Sequence, residues 1–197
     1  MFPRLFALLL ICFSVRAISA EKPVFSASAV EIEINPARSA VRFTLGALLH
    51  TVHGSFKVKV GTVRFDPASG LASGQIAVDV KTGETGDGAR DRQMHESVLE
   101  SNRFPEAVFS PDHLQGPLAI KGNSQLEVHG ILRLHGGEHE MTIPVNVTMQ
   151  DHLITATAKF VIPYVAWGLK DPSNLILRVD QTVKVEVAIT GQAVSLK

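Results

Sequence analysis

The chain has 197 residues, one domain's worth of sequence, and its Lys plus Arg count equals its Asp plus Glu count at 19 each. That balance excludes a global basic field for nucleic acid, and 6% aromatic with 19% charged residues excludes a disordered acidic tail or a coiled coil. The single cysteine, Cys12, excludes a disulfide framework, a CxxC redox site and a cysteine-rich zinc module.

Met1 to Arg4 carries a positive charge, Leu5 to Phe13 is an unbroken apolar run, and Ala17-Ile-Ser-Ala20 supplies small residues before Glu21. This pattern predicts a secretory signal peptide over residues 1–20, cleaved after Ala20, and a periplasmic or secreted destination. The apolar run is too short for a hydrocarbon core of roughly 30 Å, which needs about 20 residues, so no integral membrane span is expected. Cys12 lies inside the run after Leu10-Ile11, which excludes a lipoprotein signal. Cleavage removes Arg4, Arg16 and Cys12, leaving 17 basic against 19 acidic residues and no disulfide over residues 21–197. A chain of that length buries roughly 70% of its unfolded surface and can be held by its core alone.

The body alternates with period two, the mark of half-buried strands. The first segments are Val30 to Ile34 and Ser39 to Leu45, separated by Asn35-Pro36. Phe56, Val58 and Val60 follow, and Gly61 shifts the apolar parity to Val63 and Phe65, as a bulge does. After the turn residues Asp66 to Gly70 come Ile76, Val78 and Val80. Asp87 to Ser101 then switches to helical spacing, with Asp87 as N-cap, Met94, Val98 and Leu99 on one face, and an Arg92–Glu96 pair. Phe104-Pro105 ends it. Alternation resumes through Leu126 to Leu134, Met141 to Val147 and Ile154 to Ile162, with Gly136-Gly137 marking a tight turn. Val183 to Ile189 alternates too, and its parity runs back through Val179, Leu177 and Leu175. Eight to ten antiparallel strands of this kind predict an all-β closed barrel of about eight strands with one short helix capping an end. A sandwich is the second choice.

Candidate chemistry is sparse. His135-Gly-Gly-Glu138-His139 has the H-x-x-E-H spacing of one zinc-protease class, but that motif needs a helix, and two central glycines each cost about 1 kcal/mol there. The flanking alternation makes it a hairpin turn. His50 and His53, three apart in an extended segment, point to opposite faces. A metal-dependent hydrolase would have to assemble His50, His53, His135 and His139. His129 shares the parity of Arg133 and His135, so it is expected to face water. No nucleophile elbow, phosphate loop or dinucleotide fingerprint occurs. The remaining notable residues are apolar and spread over many strands. They fit an ordinary filled core, or the interior of a barrel just wide enough for one small ligand.

Set in order, five segments resemble the YceI-like family of secreted lipid-binding proteins. They are Ser39-Ala-Val-Arg-Phe43 with Leu49 to Phe56; Gly61-Thr-Val-Arg-Phe-Asp66; Arg90 to His95 leading to Phe104 to Ser110; Val128 to Gly136; and Pro163-Tyr-Val-Ala-Trp-Gly168 to Ser173. The resemblance implies a lipocalin-like barrel that carries a polyisoprenoid or other amphiphilic lipid, no enzyme, with no catalytic residues, no cofactor and no required metal, and a homodimer open to it although nothing in the sequence marks an interface. It places Phe43, Phe56, Phe65, Phe109 and Phe160 against the lipid tail and Met94, Leu99, Phe104, Tyr164 and Trp167 around the mouth. Arg90 and Arg92 could meet a phosphate head.

Overall fold

The structure, a computed structural model, describes residues 25–26, 29–48, 50–119, 121–173 and 178–195. The expected signal peptide lies outside these residues, as do Leu49, Leu175 and Leu177. The described strands are β1 (Val30–Ile34), β2 (Ala40–Gly46), β3 (Thr51–Phe65), β4 (Ala72–Glu84), β5 (Glu106–Gln115), β6 (Gly122–Leu134), β7 (Gly137–Gln150), β8 (Leu153–Ile162) and β9 (Val183–Ser195). One helix, α1 (Gly88–Gln93), lies between β4 and β5.

All ladders are antiparallel, and they run from β2 through β9, β8, β7, β6, β5, β4 and β3 back to β2. Eight positions thus close into the expected barrel. The ninth strand adds no position, because β1 and β2 share one. Both lie between β3 and β9: β2 against 51–56 and 184–188, β1 against 62–65 and 191–195. The break between them is Pro36–Arg38, a single 3-10 turn whose N-cap Asn35 accepts the Arg38 N–H at 3.2 Å. The Ser39 hydroxyl donates to the Asn35 carbonyl at 2.8 Å and accepts the Thr190 N–H at 3.1 Å, which stitches the break to β9.

Two irregularities differ from the sequence reading. The parity shift in β3 occurs at Lys59, the extra residue between the pairs Val58↔Val78 and Val60↔Ala77, rather than at Gly61. Val60 is therefore turned outward and 51% exposed, while Gly61 faces in, where Ile34 Cδ1 lies 2.6 Å from the place a Cβ would occupy. The alternation before Val183 does not extend β9 either: Val179 makes only an isolated bridge to Ala47.

The β6–β7 connection is the tight hairpin turn read from the glycines. Leu134 pairs with Gly137, and His135 and Gly136 both have positive φ, +51° and +79°, as a type I′ turn requires. On the outer face, His129 Nδ1 lies 2.6 Å from Asp112 Oδ1 and Nε2 lies 2.9 Å from Glu140 Oε1. Ionised carboxylates only accept, so both hydrogen bonds form together only while both ring nitrogens carry protons.

The connection from β4 to β5 lies at the end where β3, β5, β7 and β9 begin. Asp87 caps α1 through the N–H groups of Ala89 and Arg90, both at 3.0 Å. The helix is α only to Gln93 and then widens into a π turn, Met94–Val98, shorter than the sequence pattern suggests. No Arg92–Glu96 ion pair is found among the described residues. Three contacts dock the segment. His95 Nε2 donates to the Gly83 carbonyl at 2.9 Å, His95 Nδ1 meets Ser101 Oγ at 3.1 Å, and Glu100 meets His135 Nε2 at 2.9 Å. Opposite Phe56, β4 loops out over Val80–Gly83, which brings Gly83 under the Phe56 and Met94 side chains.

Two outcomes follow from these packings. A valine at Gly83 would place its Cβ 2.4 Å from Phe56 Cε1 and 2.9 Å from Met94 Cε. Gly83→Val is expected to destabilise by about 1–3 kcal/mol in urea unfolding, as overpacking does. Asp112 first, then Glu140, hold the His129 pKa above its ordinary value against a smaller opposing effect of burial. The associated stabilisation is present below the unfolded value of about 6.5 and is lost as pH rises through the raised folded value. Imidazole NMR titration should give His129 an elevated midpoint that falls back in Asp112→Asn.

Candidate functional site

The inward side chains of the strands do not fill the barrel. They surround a cavity of about 350 Å³ lined by 40 residues, none of them charged. Among the lining side chains only Thr157 and Tyr164 carry a hydroxyl. The Tyr164 hydroxyl is committed, donating to the Asp180 carbonyl at 2.8 Å, and burial, then the Asp171 and Asp180 charges, push its pKa up to about 12. Among the described residues no large side chain is fully buried, although the alternation points so many of them inward. Many inward residues retain accessible surface because they face empty space rather than one another.

The two ends differ. At the end away from the helix, Leu126, Val147, Met149 and Ile154 pack together with Leu114 and Leu118 into a floor. At the helix end, Met94, Val98 and Leu99 cover the opening together with Tyr164 and Leu169. Sequence reading places Leu126, Val147 and Ile154 in alternating apolar runs but names neither the floor residues nor Leu169 as ligand contacts. The floor residues on the strands share the inward parity of their neighbours, which was the available signal.

Eight of the ten residues expected to meet ligand line this cavity. Phe43, Phe56, Phe65, Phe109 and Phe160 stand on the wall, with the Phe43 and Phe56 rings 5.3 Å apart, and Met94, Leu99 and Tyr164 lie at the helix end. Phe104 and Trp167 are not in the lining. Phe104 lies against the His135 ring at 4.4 Å between centroids and covers Gly136, and Arg103 Cζ lies over the Phe104 ring, 4.8 Å from its centroid. Trp167 stacks on His139, centroids 3.8 Å apart and planes 6° apart. Both rings fasten the covering segments to the β6–β7 hairpin.

The histidine set has four separate environments. His50 is exposed, His53 Nδ1 meets Thr44 Oγ1 at 3.1 Å, His135 meets Glu100, and His139 meets Trp167. No three His, Cys, Asp or Glu side chains among the described residues are grouped to hold a metal ion. Arg90 is committed to Thr85, its Nε donating to Oγ1 at 2.7 Å and its Nη2 to the carbonyl at 3.1 Å, and neither Arg90 nor Arg92 reaches the cavity lining. No helix among the described residues is long and apolar enough to cross a membrane. The site that the geometry builds is an uncharged apolar chamber.

Similarity to known proteins agrees with the geometry. Residues 33–191 match the model of the YceI-like domain. A UPF0312 protein of Vibrio cholerae is 28% identical over 117 residues, which are 57% of this chain and 60% of that protein's length. Among solved structures, BcnA of Burkholderia cenocepacia superposes with a TM-score of 0.66 at 22% identity, covering 80% of this chain and 98% of its own. A polyisoprenoid binding domain from Saccharophagus degradans gives 0.64 at 16% identity, covering 83% of this chain and 98% of its own. With the YceI-like domain spanning the closed barrel from β1 to β9, the chain belongs to the YceI-like family.

Proposed function

We propose that this protein is a secreted or periplasmic carrier that holds the tail of an amphiphilic lipid, a polyisoprenoid, inside the barrel and carries out no catalysis. The observation that supports this most is the hollow, uncharged interior. The solved relative from Saccharophagus degradans is a polyisoprenoid binding domain, which agrees with that chemistry. The signal peptide read from residues 1–20 supplies the destination.

Cavity size sets the length of tail. At interior packing density one isoprene unit takes up about 120 Å³, so about 350 Å³ encloses roughly three units, or about 15 carbons. At ~0.8 kcal/mol per buried methylene their transfer contributes roughly 12 kcal/mol. With association costs at the low end of their range, about 4 kcal/mol, the remainder of roughly 8 kcal/mol corresponds to micromolar affinity.

Two measurements test the reading. In calorimetric titrations with isoprenoid alcohols of increasing length, affinity should rise steeply from two units to three and gain little from a fourth; no binding at any length contradicts it. Phe56→Ala distinguishes a ligand chamber from a filled core. Truncating a phenylalanine in a packed core costs ~3–5 kcal/mol, whereas this ring faces the cavity on one side. The variant should lose less than about 2 kcal/mol of stability while weakening binding severalfold.

A further inference from the structure

The barrel wall is not zipped along its whole length. The β7–β8 ladder runs only from Val145↔Ala158 to Gln150↔Leu153, and Pro144, which lacks an N–H, is the first residue of β7 beyond it. Toward the helix end, β7 from Gly137 to Pro144 has only β6 as a ladder partner, and β8 from Lys159 to Ile162 has only β9. Ile143 on one side of this parting and Phe160 and Ile162 on the other all line the cavity.

Residues 163–169 run from the end of β8 across this parting to β7. They form a compact turn of their own, in which the Trp167, Gly168 and Leu169 N–H groups donate to the Pro163, Val165 and Tyr164 carbonyls at 3.1, 3.0 and 3.0 Å. The hydrogen bonds that leave the turn go to the β9 side: the Tyr164 hydroxyl donates to the Asp180 carbonyl at 2.8 Å and the Val165 N–H to the Gln181 carbonyl at 3.5 Å. None of its hydrogen bonds among the described residues reaches β7, where Trp167 instead stacks on His139. His139 Nε2 is buried there without a hydrogen-bond partner, so the closed stack holds a desolvated nitrogen that opening returns to water. The helix segment is fastened differently, by polar contacts: the Thr85 N–H donates to Asp91 at 2.8 Å, His95 bonds the Gly83 carbonyl at 2.9 Å and Glu100 meets His135 at 2.9 Å.

We propose that residues 163–169 are a flap, hinged on the β9 side, through which the lipid enters and leaves, and that the Trp167–His139 stack is its latch. The inference rests on the carrier reading above and adds the route. Lifting the Trp167 edge carries Leu169 off the cavity and uncovers the parting between β7 and β8. It breaks one ring contact and no hydrogen bond to β7. The helix segment stays docked during exchange, because releasing it would break each of the polar contacts that fasten it.

The test uses purified protein stripped of bound lipid, loaded with farnesol and chased with excess deuterated farnesol, with native mass spectrometry reading the lipid exchange. Trp167→Ala should speed lipid exchange about 3- to 10-fold, the range that loss of one aromatic pair corresponds to. Its affinity should stay within about twofold of wild type, because Trp167 does not line the cavity. Trp167→Phe, which keeps a ring on His139, should restore most of the wild-type rate. His139→Phe, which keeps the ring and removes the unpartnered nitrogen, should slow lipid exchange below wild type. His95→Ala, which loosens the helix segment instead, should leave the rate within about twofold. No acceleration in Trp167→Ala, or as much in His95→Ala, overturns the gate. The latch is also read without lipid: Trp167→Ala should raise hydrogen exchange at the Gly168 and Leu169 amides more than at the Leu99 and Ser101 amides. An equal rise at both places, or none, overturns the latch. Failure of wild type to bind farnesol while that hydrogen-exchange difference is present overturns the carrier reading instead.

Discussion

A closed antiparallel ladder fixes how many side chains can point inward, and in this protein they are too small to fill the space they enclose. That unfilled interior is the constraint from which the rest follows. At ~24 cal/mol per Å³, the penalty measured for cavities left by core truncation, an empty volume of about 350 Å³ corresponds to roughly 8 kcal/mol of forgone stabilisation. Whole domains are stable by only about 5–15 kcal/mol. A barrel held open at such a cost gains from any apolar molecule that fits, because a ligand bound only by the native state stabilises it by mass action.

The two ends divide the work. The floor of Leu114, Leu118, Leu126, Met149 and Ile154 closes one end by packing alone. The other end is covered by segments that the barrel holds through a few specific contacts: His95 on Gly83 and Ser101, Glu100 on His135, Phe104 on His135, and Trp167 on His139. These contacts are separate from the closed ladder, so the cover at the helix end and the barrel wall are held by different interactions.

Much of the fold was legible in the sequence because strand alternation is a local pattern, and each inward residue announces itself by parity. Phe43, Phe56, Phe65, Phe109 and Phe160 could be placed on the wall for that reason. What was not legible depends on pairing partners far away in the chain. Lys59 is the bulged residue because of how β3 meets β4, and no local signal separates it from Gly61. The sharing of one barrel position by β1 and β2 needs the lengths of β3 and β9 to be known first. Phe104 and Trp167 look like mouth residues by sequence, yet their rings meet histidines on the β6–β7 hairpin, a contact between segments some 30 residues apart. The H-x-x-E-H spacing was a coincidence of the hairpin, but its histidines have uses as anchors of the two covering segments.

The most direct test of a hollow, lipid-carrying barrel is native mass spectrometry of the protein purified from its own host, followed by solvent extraction and identification of what is released. A single stoichiometric mass shift that extracts as an isoprenoid lipid is the predicted result. A bare protein mass that stays unchanged after incubation with isoprenoid alcohols and quinones would contradict it, and would mean that the interior is closed to ligands.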